Sequence, residues 1–311
     1  MLVFGPVPSR RLGRSLGINN IPYKYCSYAC LYCQLGAKTN LTLHRRAFYK
    51  PEDIVEEVAR RLEKLKQTNE TVDYISIVPD GEPTLDKNLG ILIDKLKVFG
   101  LRVAVITNAS LLYLPEVRQD LLAADWISIK IDTVNFDVWK KLNRPHHELN
   151  FDTFLEGILA FSEEYKNTLT TETMLVNAIN DFEDNLCKTS MFISQLNPSV
   201  AYIAAPIRPP AFQWVKKPNI EKITEAYNIF SEYIERVELI IKPEGNEFVL
   251  TDDFQNDLLS IISVHPISEE SLKKLLNKYN KDFSAVERLI NSKLVKIVDY
   301  QGKNFFIRNF Y

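Results

Sequence analysis

The chain has 311 residues, 46% hydrophobic and 25% charged, which is enough for a real core and more than one domain. No run of eighteen apolar residues and no secretory leader is legible in it, and four cysteines are too few for a disulfide framework. Those features exclude a membrane-spanning or disulfide-stapled secreted protein and point to a cytoplasmic one. The net charge of −2 is uninformative, but its distribution is not: residues 1–50 hold eight Lys or Arg and no Asp or Glu. A concentrated positive field suits an anionic cofactor, an anionic substrate or an acidic electron donor.

In chain order, "GPVPSRRLGRSLG" (5–17) reads as a Gly-rich basic loop, with Arg10 and Arg11 able to grip phosphate or carboxylate. "SLGIN" (15–19) is a short strand. The cysteine stretch "CSYACLYC" (26–33) follows it. "PEDIVEEVARRLEKLK" (51–66) predicts a helix, with Pro51 at its first position, acids in its first turn and an apolar face of Ile54, Val55, Val58, Leu62 and Leu65. Six further β-rich runs alternate with helical patterns: 73–78, 101–106, 126–131, 170–176, 200–205 and 237–241. Alternation of this kind predicts parallel βα units, and near-continuous apolar strands predict cover on both faces. Periodicity alone leaves a barrel and an open doubly wound sheet equally possible.

The rhythm changes after "KPEGNEF" (242–248), so we expect domains at 1–244 and 245–311. Beyond it, "DDFQNDLLSIISVHP" predicts a helix stopped by Pro266. "SEESLKKLLNKY" predicts a helix capped by Ser268, with Leu272, Leu275, Leu276 and Tyr279 on one stripe. "AVERLINSKL" predicts a third helix, and a hairpin turns at "QG". Three helices and a ribbon outline a winged helix. The region carries nine acidic and nine basic side chains, which is not the basic footprint of a DNA or RNA reader.

Cys26, Cys30 and Cys33 fall within eight residues, and the one other cysteine, Cys187, lies in a helical pattern. Thiolates favour zinc or iron–sulfur clusters, but structural zinc wants four ligands, usually as paired knuckles. Three thiolates on a cubane cluster leave one iron open to a small molecule. The stretch resembles the radical SAM superfamily, whose pattern C-x₃-C-x-aromatic-C it matches, with Tyr32 as the aromatic. The resemblance implies that the three cysteines bind a [4Fe–4S] cluster, that S-adenosylmethionine (SAM) chelates the fourth iron, and that Tyr32 lies beside the adenine.

Further stretches carry the resemblance. "VPDGEPTLD" matches the family's Gly-rich turn through Gly81, Glu82 and Pro83, which implies that Glu82 accepts a hydrogen bond from the SAM amino group; Asp80 replaces the first glycine of the commonest version. "VITNASLL" brings Asn108, with Ala109 in place of the usual glycine. "SIKIDT" brings Lys130 and Asp132, which alternation sends to one face together with Ser128. "TTETMLV" brings Thr173, or else Thr171 or Glu172, near the SAM ribose. The implied fold is a partial (β/α)₆ barrel over residues 15–241 with a small winged-helix-like α+β domain behind it. The loops "NRPHH" and "APIRPP" add Arg144, His146 and Arg208 as candidate substrate contacts.

The chain is also similar to a radical SAM group distantly related to the wybutosine-synthesising enzymes. It lacks the cysteines for those enzymes' second cluster, so tricyclic-base synthesis does not carry over. The implied chemistry is one-electron cleavage of SAM to a 5′-deoxyadenosyl radical that takes hydrogen from a substrate. An acidic donor such as flavodoxin or ferredoxin would supply the electron. RNA or protein is the first substrate reading and a small anionic metabolite the second. A metal-cluster regulator with a winged helix is a third reading, of a different class.

Overall fold

The computed structural model describes residues 2–242, 248–250 and 253–309. The expected domain boundary at 244/245 lies outside these residues. The N-terminal stretch forms a hairpin of β1 (Val3–Ser9) and β2 (Gly13–Ile18). The sequence reading had made residues 5–17 a loop. Pro6 and Pro8 disguise β1, but an edge strand tolerates proline because its N–H side needs no partner. Helix α1 (Pro51–Gln67) follows. Then come β3 (Tyr74–Ile77), α2 (Leu89–Leu96), β4 (Arg102–Thr107), α3 (Pro115–Leu121) and β5 (Trp126–Lys130). Next are α4 (Phe136–Leu142), α5 (Phe151–Glu164), β6 (Thr168–Met174), α6 (Glu183–Gln195), β7 (Val200–Ala204), α7 (Ile220–Tyr233) and β8 (Val237–Ile240).

These strands make one eight-stranded sheet in chain order, from β1 to β8. Only β1 and β2 run antiparallel; every later neighbouring pair is parallel. The sheet is open and curled, a partial barrel. Side chains alternate across it. Ile127 and Ile129 join the outer core under the helices, whereas Trp126 joins Leu12, Val200, Tyr202 and Ile240 in a smaller core on the inner face. The first helix follows its expected caps, with Ile54, Val58 and Leu65 fully buried. Val55 and Leu62 are only half-buried, and Arg61 occupies the buried face in a way its charge did not announce.

The C-terminal domain has its own core around Leu258, Ile262, Leu272, Val286 and Phe306. Its elements are α8 (Phe254–Val264), β9 (Ile267–Ser268), α9 (Glu269–Lys278), α10 (Ser284–Asn291), β10 (Val295–Tyr300) and β11 (Lys303–Arg308). Ser268 caps α9 as expected, its Oγ accepting from the Ser271 N–H at 3.2 Å. Gln301 and Gly302 both take positive φ, which lets a two-residue turn close the β10–β11 hairpin. β9 adds a short third strand beside β11. No helix among the described residues is long and apolar enough to cross a membrane.

Arg61 ties the two cores together. Its Nε donates to the Gly5 carbonyl at 2.7 Å and its Nη1 to Asp257 Oδ1 at 2.7 Å, with both side chains buried. Removing one member of such a pair strands a buried charge, which costs far more than an exposed pair is worth. Asp257→Ala is therefore expected to destabilise the protein by about 3 kcal/mol in denaturant unfolding. A loss of under about 0.5 kcal/mol, the size of a surface substitution, would show that the tether is not what holds the C-terminal domain.

Candidate active site

Parallel βα architecture puts the loops after β2–β7 at one end of the sheet, where active sites of such folds are built. The cysteine loop, residues 26–33, is anchored there from several sides. The Leu31 N–H donates to the Leu142 carbonyl at 2.9 Å and the Ala29 N–H to the Asn143 carbonyl at 3.1 Å, so the loop is sewn to the end of α4. Tyr28 is buried beneath it, and its hydroxyl accepts from Trp139 Nε1 at 3.0 Å. Asn108 Nδ2 reaches Cys26 Sγ at 3.6 Å and Asn143 Nδ2 reaches Cys30 Sγ at 3.6 Å. Lys24 is itself buried, and its Nζ donates to Cys33 Sγ at 3.2 Å and to the Gly36 carbonyl at 2.8 Å. Each cysteine therefore has its own hydrogen-bond donor.

Burial, reinforced by Glu82, pushes the Cys26 thiol well above its ordinary range. Burial and Asp132 push Cys30 up to about 12. Thiolates in such surroundings need adjacent metal cations, and metal binding would displace their protons. Among the described residues, no three His, Cys, Asp or Glu side chains converge as a single metal ion requires. Three thiols within eight residues, with no His, Asp or Glu among them, are the all-sulfur donor set that an iron–sulfur cluster takes.

The turn after β3 closes on the same loop. The Glu82 N–H donates to the Tyr25 carbonyl at 3.0 Å, and a Cβ at Gly81 would collide with that carbonyl oxygen. Only glycine permits so close an approach. Glu82 is 1% exposed. Its Oε1 accepts from the Thr84 N–H at 3.1 Å, Thr84 Oγ1 at 2.6 Å and Thr107 Oγ1 at 2.6 Å. Its Oε2 accepts from the Asn108 N–H at 2.8 Å. Burial raises its proton affinity and these donors oppose the rise.

These groups surround a cavity of about 300 Å³. The structure brings together on its wall Cys26, Cys30, Cys33, Tyr32, Gly81, Glu82, Asn108, Lys130, Arg10, Arg11 and Arg208. Five other expected site residues lie elsewhere. Pro83 opens a one-turn 3₁₀ helix behind the Gly81–Glu82 turn. β5 ends at Lys130, so alternation no longer holds at Asp132. Asp132 is buried, accepting from Tyr32 OH, from Asn143 Nδ2 at 2.7 Å and from the Met174 N–H at 2.8 Å; it positions Tyr32. Thr173 turns outward, its Oγ1 donating to the Ile131 carbonyl at 2.7 Å. Arg144 is exposed and stacks on Phe212 at 5.4 Å. His146 packs on His147 at 4.4 Å, and its backbone N–H donates to the Ser27 carbonyl at 2.9 Å.

On β6 it is Glu172 and Met174, not Thr173, that face the cavity. Glu172 lies opposite Lys130 in the β5–β6 register. Its carboxylate pairs with Arg11 and accepts from Lys130 Nζ at 2.6 Å. Burial holds the Lys130 amine below its ordinary range, although Asp132 pulls the other way. Glu172 is one of the alternatives to Thr173 that the sequence offers, and it is the one that faces the cavity. Nothing in the sequence announced Lys24, Tyr28, Asn143 or Gln34. The N-terminal positive field is also smaller at the surface than the sequence suggested. Arg11, Arg14 and Arg45 pair with Glu172, Glu70 and Asp120, while Lys24 is buried.

The model of the radical SAM superfamily matches residues 20–189. The UPF0026 protein of Methanocaldococcus jannaschii is 47% identical over 311 residues, covering 99% of this chain and 96% of that one. The chain belongs to the radical SAM superfamily and, within it, to the UPF0026 group. Members of the superfamily bind a [4Fe–4S] cluster and SAM. Two solved structures share the fold at low identity. TYW1 with a lysine-pyruvate adduct bound has a TM-score of 0.55 at 15% identity, over 71% of this chain and 74% of that one. Streptococcus suis SuiB bound to SAM has a TM-score of 0.52 at 17% identity, over 72% of this chain and 49% of that one.

Gly81→Ala should force the Tyr25 carbonyl, and with it Cys26, out of place. Iron uptake on reconstitution should fall on the order of tenfold, as for other changes that disorient ligands. Far-UV circular dichroism should remain that of the wild type. Full iron uptake would show that the turn does not support the cysteine loop.

Proposed function

We propose that this protein is a radical SAM enzyme that removes a hydrogen atom from a small anionic metabolite. The observation that carries the reading is the single cavity shared by three separately supported thiols, the buried Glu82 carboxylate and a set of cationic side chains. Cys26, Cys30 and Cys33 would hold three irons of the cluster. The cluster and SAM, when bound and reduced, supply a 5′-deoxyadenosyl radical. Glu82 Oε1 already accepts three hydrogen bonds, whereas Oε2 accepts one and has capacity for the SAM amino group. Tyr32, held by Asp132, would lie beside the adenine, and Asn108 would fix both the Glu82 carboxylate and the Cys26 sulfur.

Arg10, Arg11, Lys130 and Arg208 line the cavity against Glu172 and Glu82 as its carboxylates. That imbalance favours an anionic substrate, with Arg11 and Lys130 made rigid by Glu172. An RNA or protein substrate has less support, because the cations are gathered inside the cavity and the C-terminal domain is electrically balanced. An acidic electron donor would approach the cysteine loop across the exposed Lys38, Arg46 and Lys50. The superfamily assignment removes the reason for the regulator reading.

The decisive test is anaerobic. Reconstituted wild type with reductant and SAM should release 5′-deoxyadenosine, detected by mass spectrometry. The metabolite fraction of a host extract should stimulate release more than its RNA or protein fractions. Cys26→Ala should lose both iron and SAM cleavage. A Cys26→Ala protein that kept both would overturn the cluster assignment.

Lys24 supports a separate expectation. A donor to a cluster thiolate stabilises the more negative, reduced state. Lys24→Met removes the bond to Cys33 and should lower the reduction potential by roughly 60 mV, the one-electron equivalent of about 1.4 kcal/mol. Potentiometric titration followed by electron paramagnetic resonance reads this directly. An unchanged potential would assign Lys24 to holding the Gly36 turn alone.

A further inference from the structure

The reaction cavity is small for what it must contain. Sites for drug-sized ligands run from roughly 300 to 1,000 Å³. SAM is itself of that size, so a cavity of about 300 Å³ leaves little room for a second molecule. A neighbouring cleft of about 480 Å³ lies between the open end of the sheet and the C-terminal domain. Ile207 and Arg208 line both spaces. Arg208 is held from either side: Nη1 donates to Gln34 Oε1 at 3.1 Å, one residue past Cys33, and Nη2 donates to His265 Nε2 at 2.6 Å, just past α8.

The cleft is built by both domains. Tyr300 donates its hydroxyl to the Pro206 carbonyl at 3.1 Å, fixing the β10–β11 hairpin against the loop after β7. Among the described residues three cations line it from two elements: Arg208 and Lys217 on the loop between β7 and α7, and Lys303 on β11. Among the described residues Glu270 is the carboxylate on the wall, and it accepts from Lys274 Nζ at 2.7 Å. Ser268 and Ser271 add hydroxyls. The described residues of the wall therefore present an excess of positive charge.

We propose that this interdomain cleft binds the phosphate end of a phosphorylated metabolite whose reactive end extends past Arg208 into the cavity of the three cysteines. The proposal rests on the radical SAM reading above. Phosphate is favoured over carboxylate by charge. A phosphate monoester carries about −1.5 to −2 at neutral pH and three acceptor oxygens, which suits one guanidinium and two amines. A carboxylate would leave part of that charge unmatched.

The test measures binding of inorganic phosphate to the reconstituted full chain by equilibrium dialysis. The cleft variant is Lys217→Glu with Lys303→Glu. The charge-matched control is Lys140→Glu with Lys188→Glu, on α4 and α6, outside the cleft lining. Wild type and control should bind phosphate saturably, and the cleft variant should bind roughly tenfold more weakly or not at all. Thermal melts establish that all three proteins are folded. No saturable binding by wild type, or equal binding by the two double variants, would overturn the proposal. SAM cleavage by the same wild-type preparation is scored separately. Cleavage without phosphate binding sinks the cleft and leaves the radical reading intact. Charge-dependent phosphate binding without cleavage supports the cleft as an anion site and sinks the radical reading.

Discussion

The close contact between Gly81 and the Tyr25 carbonyl sets the geometry of the whole open end of the sheet. It joins two chain segments that are far apart in sequence, Tyr25 on the approach to the cysteine loop and Gly81 in the turn after β3. Because the Gly81 side has no Cβ, the Glu82 N–H can donate to the same carbonyl, and the Glu82 side chain is then carried inward beside Cys26. The carboxylate could not stay buried there unaided, since an unpaired buried charge is costly. Thr84, Thr107 and Asn108 supply four hydrogen bonds to it, and two of these residues come from the end of β4 and just beyond. One backbone contact thus fixes the positions of β3, β4 and the cysteine loop relative to one another.

The same economy governs the charges deeper in the cavity. Glu172 and Lys130 are neighbours in the strand register, and Arg11 reaches in from the β1–β2 turn to complete a group of two cations around one carboxylate. Desolvation alone would favour a neutral lysine at this depth, but the nearby Asp132 carboxylate offsets part of that effect. Arg11 cannot lose its proton and balances the Glu172 charge, so the group is net positive when Lys130 is protonated. The N-terminal hairpin is therefore part of the site. Its basic turn, read from sequence as a Gly-rich anion-gripping loop, closes a strand pair at the edge of the sheet that brings Arg10 and Arg11 to the cavity.

What was legible in the sequence follows from how local each signal is. The seven parallel strands were visible because each is a short apolar run between helical periods, and the cysteine trio was visible because its spacing is its signature. Gly81 and Glu82 stood out for the same reason. The failures lie where a side chain's role depends on a distant partner. Thr173 and Glu172 are adjacent, and only the register with β5 and β7 decides which one faces inward. Asp132 was placed by alternation, but the strand stops two residues earlier and the carboxylate swings onto Tyr32 and Asn143. Arg61 is absent from the apolar face read for α1, yet Asp257, 196 positions away, makes its burial possible. Lys24 could not be recognised at all: a buried lysine with φ near 60° beside a thiol has no local pattern.

The C-terminal domain gains a place in this scheme through its attachment rather than its fold type. A winged-helix outline suggests nucleic acid, but charge balance argues against that use, and the attachment points lead elsewhere. Arg61 and Asp257 clamp α8 to α1 and β1. Fixing α8 also fixes His265, which follows its last turn and meets Arg208. Arg208 in turn touches Gln34 beside the third cysteine. A continuous set of packed and hydrogen-bonded groups therefore runs from the buried clamp to the rim of the cavity. In that arrangement the domain works as a wall: its hairpin and α9 enclose space that the open sheet, lacking the strands of a full barrel, leaves uncovered. In the proposed reaction on a small metabolite, that wall would serve to exclude water and side reactions.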